Sequence, residues 1–119
     1  MKKIVIIDDE DSLRETISEL LMVSGYTVFE AHNGKEGLEK VQETEPNLII
    51  CDVMMPVLDG YGFLEKHSKS AFSHIPVLLL TAKVEVTDKE KGINLGAKAY
   101  IKKPFIFSEL KELVDSYII

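Results

Sequence analysis

The chain has 119 residues, 45% of them hydrophobic, which suits one compact domain over residues 1–119 with a single core. A formal charge of -6 argues against a surface that grips nucleic acid by neutralising phosphates, so direct nucleic-acid binding by this chain is not expected. The single cysteine, Cys51, excludes an internal disulfide and reads as a core residue, and no Cys/His spacing suggests a zinc site.

Met1-Lys2-Lys3 leads into the apolar run Ile4-Val5-Ile6-Ile7, which Asp8-Asp9-Glu10-Asp11 cuts off after four residues. That run is too short for a signal-peptide core or a membrane span, so a soluble cytoplasmic protein is expected. Lys3 to Ile7 reads as the first strand. A first helix begins near Asp11 or Ser12, because Ser12-Leu13-Arg14-Glu15 matches a capping box and Leu13, Ile17, Leu20 and Leu21 recur at helical spacing. Gly25 ends it. Thr27 to Ala31 forms a second strand, and Asn33-Gly34 opens a second helix that carries Leu38 and Val41 and stops before Pro46.

Leu48 to Cys51 is the third strand, with Asp52 where the strand runs out. A lone buried carboxylate is costly, so Asp52 is expected at the exposed strand end. Asp59-Gly60 opens a third helix containing Phe63 and Leu64, and Val77 to Leu80 is the fourth strand. A fourth helix from about Glu85 to Leu95 is closed by Gly96 in a left-handed conformation; Gly92 inside it costs about 1 kcal/mol against alanine. Ala99 to Ile101 is the fifth strand. The last helix runs from Ile106 or Phe107 through Leu110, Leu113 and Val114 to near the chain end, so no output domain is expected within these residues.

Short apolar runs alternating with amphipathic segments mark repeated βα units and a parallel sheet. The first, third and fourth strands are continuously apolar, as strands covered on both faces must be, and the second and fifth fit the edges. With right-handed crossovers the order is 2-1-3-4-5. The fold class is therefore α/β, a flavodoxin-like doubly wound (βα)5 domain. Ligands in such sheets bind where the strand order reverses, beyond the carboxyl ends of the strands, and Asp8, Asp9 and Asp52 all fall there.

Three converging carboxylates repel one another unless a cation joins them. All-oxygen ligation suits magnesium, or manganese, better than zinc, which favours His or Cys. Thr81 and Lys103, at the ends of the fourth and fifth strands, add a hydroxyl and an ammonium to the same cleft. Acids, metal, hydroxyl and lysine together are what phosphoryl transfer needs, and Asp52 is the candidate nucleophile.

On these residues the chain resembles, end to end, a receiver domain of two-component response regulators. The resemblance rests on Asp8-Asp9, on Asp52 with Met55-Pro56 and Asp59-Gly60, on Thr81-Ala82, and on Lys103-Pro104-Phe105, in that order at successive strand ends. It implies that Asp52 accepts a phosphoryl group from a sensor histidine kinase or a histidine phosphotransfer protein. Asp9 and Asp52 would ligate magnesium directly, Asp8 through water, and the backbone carbonyl of Met54 would complete the protein ligands. Lys103 would contact the phosphoryl group, with a cis peptide before Pro104. Thr81 would hydrogen-bond a phosphoryl oxygen while Tyr100 rotates inward. The surface of the fourth helix, fifth strand and fifth helix would then shift to control an output partner or domain, the chain acting as a monomer or a phosphorylation-dependent dimer. Met54 and Lys83 occupy the positions expected to tune phosphoryl lifetime. Such a domain is a phosphoacceptor rather than an enzyme, although it promotes its own phosphorylation and dephosphorylation.

Two other classes compete. A magnesium-dependent phosphatase or related hydrolase would want a second acid two residues past the nucleophile, where Met54 stands. A degenerate receiver would lack an acid, the threonine or the lysine, and none is missing. Read alone, Tyr100 is an edge-strand aromatic with its hydroxyl in water, and His32, His67 and His74 share no ligand spacing and are expected to be solvent-exposed.

Overall fold

Runs of isoleucine, valine and leucine build the middle of a parallel sheet because each of these strands has a neighbour on both edges and helices on both faces. A computed structural model, which describes residues 1–82 and 86–119, places β1 (Lys3–Ile7), β2 (Thr27–Ala31), β3 (Leu48–Asp52), β4 (Val77–Thr81) and β5 (Ala99–Lys102) in the order β2-β1-β3-β4-β5. Five helices alternate with them: α1 (Asp11–Val23), α2 (Gly34–Thr44), α3 (Gly60–Ser68), α4 (Val86–Asn94) and α5 (Phe107–Tyr117). The strand order is the expected one, with β2 and β5 at the edges.

Side chains that alternate along each strand divide the core in two. Ile4, Ile6, Leu48, Ile50, Leu78 and Leu80 pack with Ile17 and Leu21 of α1 and Leu110 and Val114 of α5. On the other face, Val5, Ile7, Ile49, Cys51, Val77 and Leu79 pack with Val41 of α2 and with Phe63 and Leu64 of α3. The register sets Ile7 beside Cys51, Asp52 beside Leu80 and Thr81 beside Lys102. The carboxyl ends of four strands therefore arrive at one edge of the sheet.

Local signals behave as their chemistry requires in most places. Asn33 caps α2 by accepting from Glu36 N–H at 2.8 Å, Asp59 caps α3 by accepting from Gly62 N–H at 2.7 Å, and Gly96 follows α4 with φ +110°. The capping box at Ser12 does not form. Glu10 is the N-cap, without a side-chain cap bond, and Ser12 lies inside α1, its carbonyl accepting from Thr16 Oγ1. The Asp8 carboxylate takes the Glu10 N–H at 2.9 Å, so the turn before the helix is already ordered when the chain reaches Asp11.

Three strands run one residue further than expected, which brings Asp52, Thr81 and Lys102 into the ladder. His67 is a second correction: it is 3% exposed, stacked on Phe63 with ring centroids 5.6 Å apart, its Nε2 3.0 Å from the Ile75 carbonyl. Four residues after Phe63, it shares the buried stripe of α3. His32 and His74 are exposed as expected. Glu85, the expected start of the fourth helix, lies outside the described residues.

Candidate functional site

Asp8 leaves the end of β1 and Asp52 is the last residue of β3, and pairing of Ile7 with Cys51 brings the two acids side by side. With Asp9 they offer carboxylate oxygens that all lie within 4.8 Å of one another. Asp9 is exposed, whereas Asp8 and Asp52 are 1% and 6% exposed. Asp52 therefore stands at the strand end, as expected, but not in open solvent. The first residue of α3 explains the difference. Gly60 N–H donates to the Val53 carbonyl at 2.8 Å, and a Cβ on residue 60 would come within 2.3 Å of the Asp52 carbonyl oxygen. Glycine lets α3 close over the strand end.

A buried carboxylate needs compensation, and Asp52 has two sources. Val53 N–H donates to Oδ1 at 2.8 Å, and the Lys103 ammonium lies 3.5 Å from Oδ2. The same ammonium donates to Asp8 Oδ2 at 3.0 Å and is 3.8 Å from Glu10 Oε2. Compensation is incomplete. Burial, then the Asp8 charge, push the Asp52 carboxyl up to about 6, while Lys103 and the Val53 amide pull it back. Burial opposes the charge on Lys103, but Asp8, Asp52 and Glu10 outweigh it and hold the ammonium above its ordinary value.

Three acids facing one lysine leave an excess of negative charge, and the donors are hard oxygens. That set fits a divalent cation of the magnesium type, with Asp9 as the acid most open to water. Beside it runs a cleft of about 400 Å3 lined by Asp9, Met54, Pro56, Asp59 and Tyr61 among others. Met54 is 59% exposed on its wall.

Thr81, fully buried, ends β4. Its carbonyl accepts from Lys103 N–H at 2.8 Å, which ties the lysine's backbone to the strand beside it, and the Lys103–Pro104 peptide is cis. Tyr100 is half-buried and packs against the core cluster that includes Leu79 and Tyr61. Its hydroxyl is thus not simply in water. Burial, then the neighbouring Tyr61 phenol, pushes that phenol well above its ordinary value. Lys83 lies outside the described residues.

Two residues of the site escape a reading by motif. Arg14 donates from Nη1 to the Asp8 carbonyl and from Nε to Glu30 Oε1, each at 2.8 Å, and its Nη1 is 2.9 Å from Asp11 Oδ1. It thereby fixes the backbone of the acidic loop against β2. The i,i+3 spacing from Asp11 is a signal for part of this; the contacts to Asp8 and Glu30 have none. Tyr61, the second residue of α3, is the other.

Residues 4–115 match the family model described as response regulator receiver domain. A transcriptional regulator named ycf27, from Porphyridium aerugineum, is 41% identical over 98% of this chain and 48% of its own length. The chain spans about half the length of the curated relatives it matches. Among solved structures, the chemotaxis protein CheY4 of Vibrio cholerae is 33% identical with a TM-score of 0.92, covering 99% of both chains. The signal receiver domain of a signal transduction histidine kinase from Syntrophus aciditrophicus is 30% identical with a TM-score of 0.90, covering 98% of this chain and 89% of that one.

Proposed function

The chain belongs to the response regulator receiver domain family, and from that premise we propose that Asp52 is its phosphoacceptor. The observation that carries this reading is the shared ammonium: Lys103 lies 3.0 Å from Asp8 and 3.5 Å from Asp52 at the point where the strand order reverses.

An Asp52 carboxylate oxygen attacks the phosphorus of a phosphohistidine. The new P–O bond forms as the P–N bond breaks, and the imidazole departs with the bonding pair and a proton from solvent. Val53 N–H holds one carboxylate oxygen, which orients the side chain for in-line attack. Lys103 moves from pairing two carboxylates to pairing the equatorial phosphoryl oxygens, and its charge is of most use as negative charge accumulates there. Asp8, Asp9, Asp52 and the Met54 carbonyl would hold magnesium, or manganese, which supplies further charge neutralisation at those oxygens.

Thr81 turns its hydroxyl to a phosphoryl oxygen, and Tyr100 occupies the inward space this leaves. The surface of α4, β5 and α5 carries the change to an output partner or a further domain. The donor is a sensor histidine kinase or a histidine phosphotransfer protein of the cytoplasm, and the chain works as a monomer or as a dimer formed on phosphorylation. Among the described residues no helix is long and apolar enough to cross a membrane.

Intact-mass measurement with magnesium and acetyl phosphate tests the reading, because the domain itself holds the reactive groups. One added phosphoryl group is expected on the native chain and none on Asp52→Asn. Equal labelling of the two proteins would refute it.

A further inference from the structure

Tyr61, on α3, ties that helix to α4. It is 7% exposed, and its hydroxyl donates to the Asp88 carbonyl, in the first turn of α4, at 3.0 Å. The Lys91 ammonium, one turn further along α4, sits 4.5 Å above its ring centroid, a cation–π distance. Tyr100 on β5 packs against the same core cluster as Tyr61. Tyr61 also lines the cleft beside the acids.

The packing around this junction is close. A Cβ on Gly92 of α4 would meet Leu79 Cδ1 at 2.6 Å and Tyr100 Cδ2 at 3.4 Å. The glycine that weakens α4 as a helix thus lets α4 lie directly on β4 and over Tyr100. Whatever fixes the Tyr100 ring also fixes the seat of α4.

We propose that Tyr61 is a positioning residue: its hydroxyl clamps the first turn of α4 and so holds that helix seated over Tyr100 before any phosphoryl group arrives. The inference rests on the phosphoacceptor reading above and adds a group that sets how far the α4–β5 surface is poised toward its phosphorylated form. A ligand that favours one seating of α4 binds in proportion to the fraction of molecules already in it. A tyrosine kept only to fill space would be replaced by phenylalanine without consequence, since Phe retains the ring and the Lys91 contact. Only the hydroxyl bond to the Asp88 carbonyl separates the cases.

The test uses the full chain, Tyr61→Phe, Tyr100→Phe and the double variant. Tyr100 ring resonances and α4 amide exchange are recorded in the free proteins, and affinity for beryllofluoride with magnesium is then measured as a phosphoryl mimic. Tyr61→Phe is expected to shift the Tyr100 resonances, speed α4 exchange and weaken the mimic about five-fold, the size of one lost hydrogen bond. The double variant is expected to bind no more weakly than Tyr100→Phe, because both residues act through the seat of α4. Unchanged Tyr100 resonances and α4 exchange in Tyr61→Phe would overturn the inference, as would additive losses in the double variant. Failure of the native chain to bind beryllofluoride would instead sink the phosphoacceptor reading, while the free-protein spectra would still decide the role of Tyr61.

Discussion

Lys103 and Asp8, on strand ends three places apart in the sheet, are joined at 3.0 Å, and the same ammonium reaches across to Asp52 at 3.5 Å. One cation thus serves two buried carboxylates, with a third acid alongside. The arrangement is poised for added positive charge and is under repulsion without it.

Removing one acid should therefore stabilise the protein. Asp52→Asn keeps the shape of the side chain and removes a buried charge that Asp8 repels, so stability without divalent cations is expected to rise by about 1–2 kcal/mol. Urea unfolding measures it. Magnesium should narrow the gap by stabilising the native chain more than the variant; a variant less stable than the native chain in chelator would contradict the repulsion argument.

The wall of the cleft should govern how long the phosphoryl group lasts. Met54 is exposed beside the acids and, being apolar, does not hold or orient an attacking water. Met54→Asn adds a donor and an acceptor at that point and is expected to shorten the phosphoryl lifetime several-fold, followed as phosphate release. An unchanged rate would remove Met54 from the account.

Val57 in the loop between β3 and α3 has φ +71°, and its side chain is 77% exposed. A β-branched residue in that region costs about 1–2 kcal/mol, whereas glycine's extra freedom in the unfolded chain costs about 0.5–1 kcal/mol. Strain is the larger of the two. Val57→Gly is thus expected to raise stability by about 0.5–1 kcal/mol in thermal or urea unfolding; a loss of stability would argue that Val57 makes a contact worth more than its strain.

His67 should make stability fall in mild acid. Burial, and to a lesser degree the charge of nearby His74, hold its imidazole below the ordinary value of 6.5, against the bond to the Ile75 carbonyl, which favours the proton. Between its native value and 6.5 the unfolded chain binds a proton that the fold refuses, so stability declines as pH drops through this window and is regained above it. His67→Gln can still donate to the Ile75 carbonyl and carries no such proton. Unfolding at about pH 7.5 and about pH 5.5 should show a smaller loss in the variant than in the native chain; equal losses would assign the decline to other groups.

Much of this was legible in the chain. The uninterrupted apolar runs of β1, β3 and β4 specify central parallel strands, and the strand order follows from them. Asp8, Asp9, Asp52, Thr81 and Lys103 are readable because each stands at or just past a strand end, a position set by local pattern. What was not legible depends on distant parts of the chain. Asp52 is buried because Gly60 admits α3 over it. Ser12 does not cap α1 because the helix already starts at Asp11, behind a turn that Asp8 closes through the Glu10 N–H. Arg14 and Tyr61 owe their importance to partners on other elements, and no spacing within their own helices announces those bonds.

Chemical trapping of the modified side chain bears most directly on the phosphoacceptor assignment. Borohydride reduces an aspartyl phosphate to homoserine and leaves a free carboxylate unchanged, so peptide sequencing by mass spectrometry reads the acceptor by position. After incubation with magnesium and acetyl phosphate, homoserine is expected at residue 52 and nowhere else. Homoserine at Asp8, Asp9 or another acid, with residue 52 still aspartate, would contradict the account.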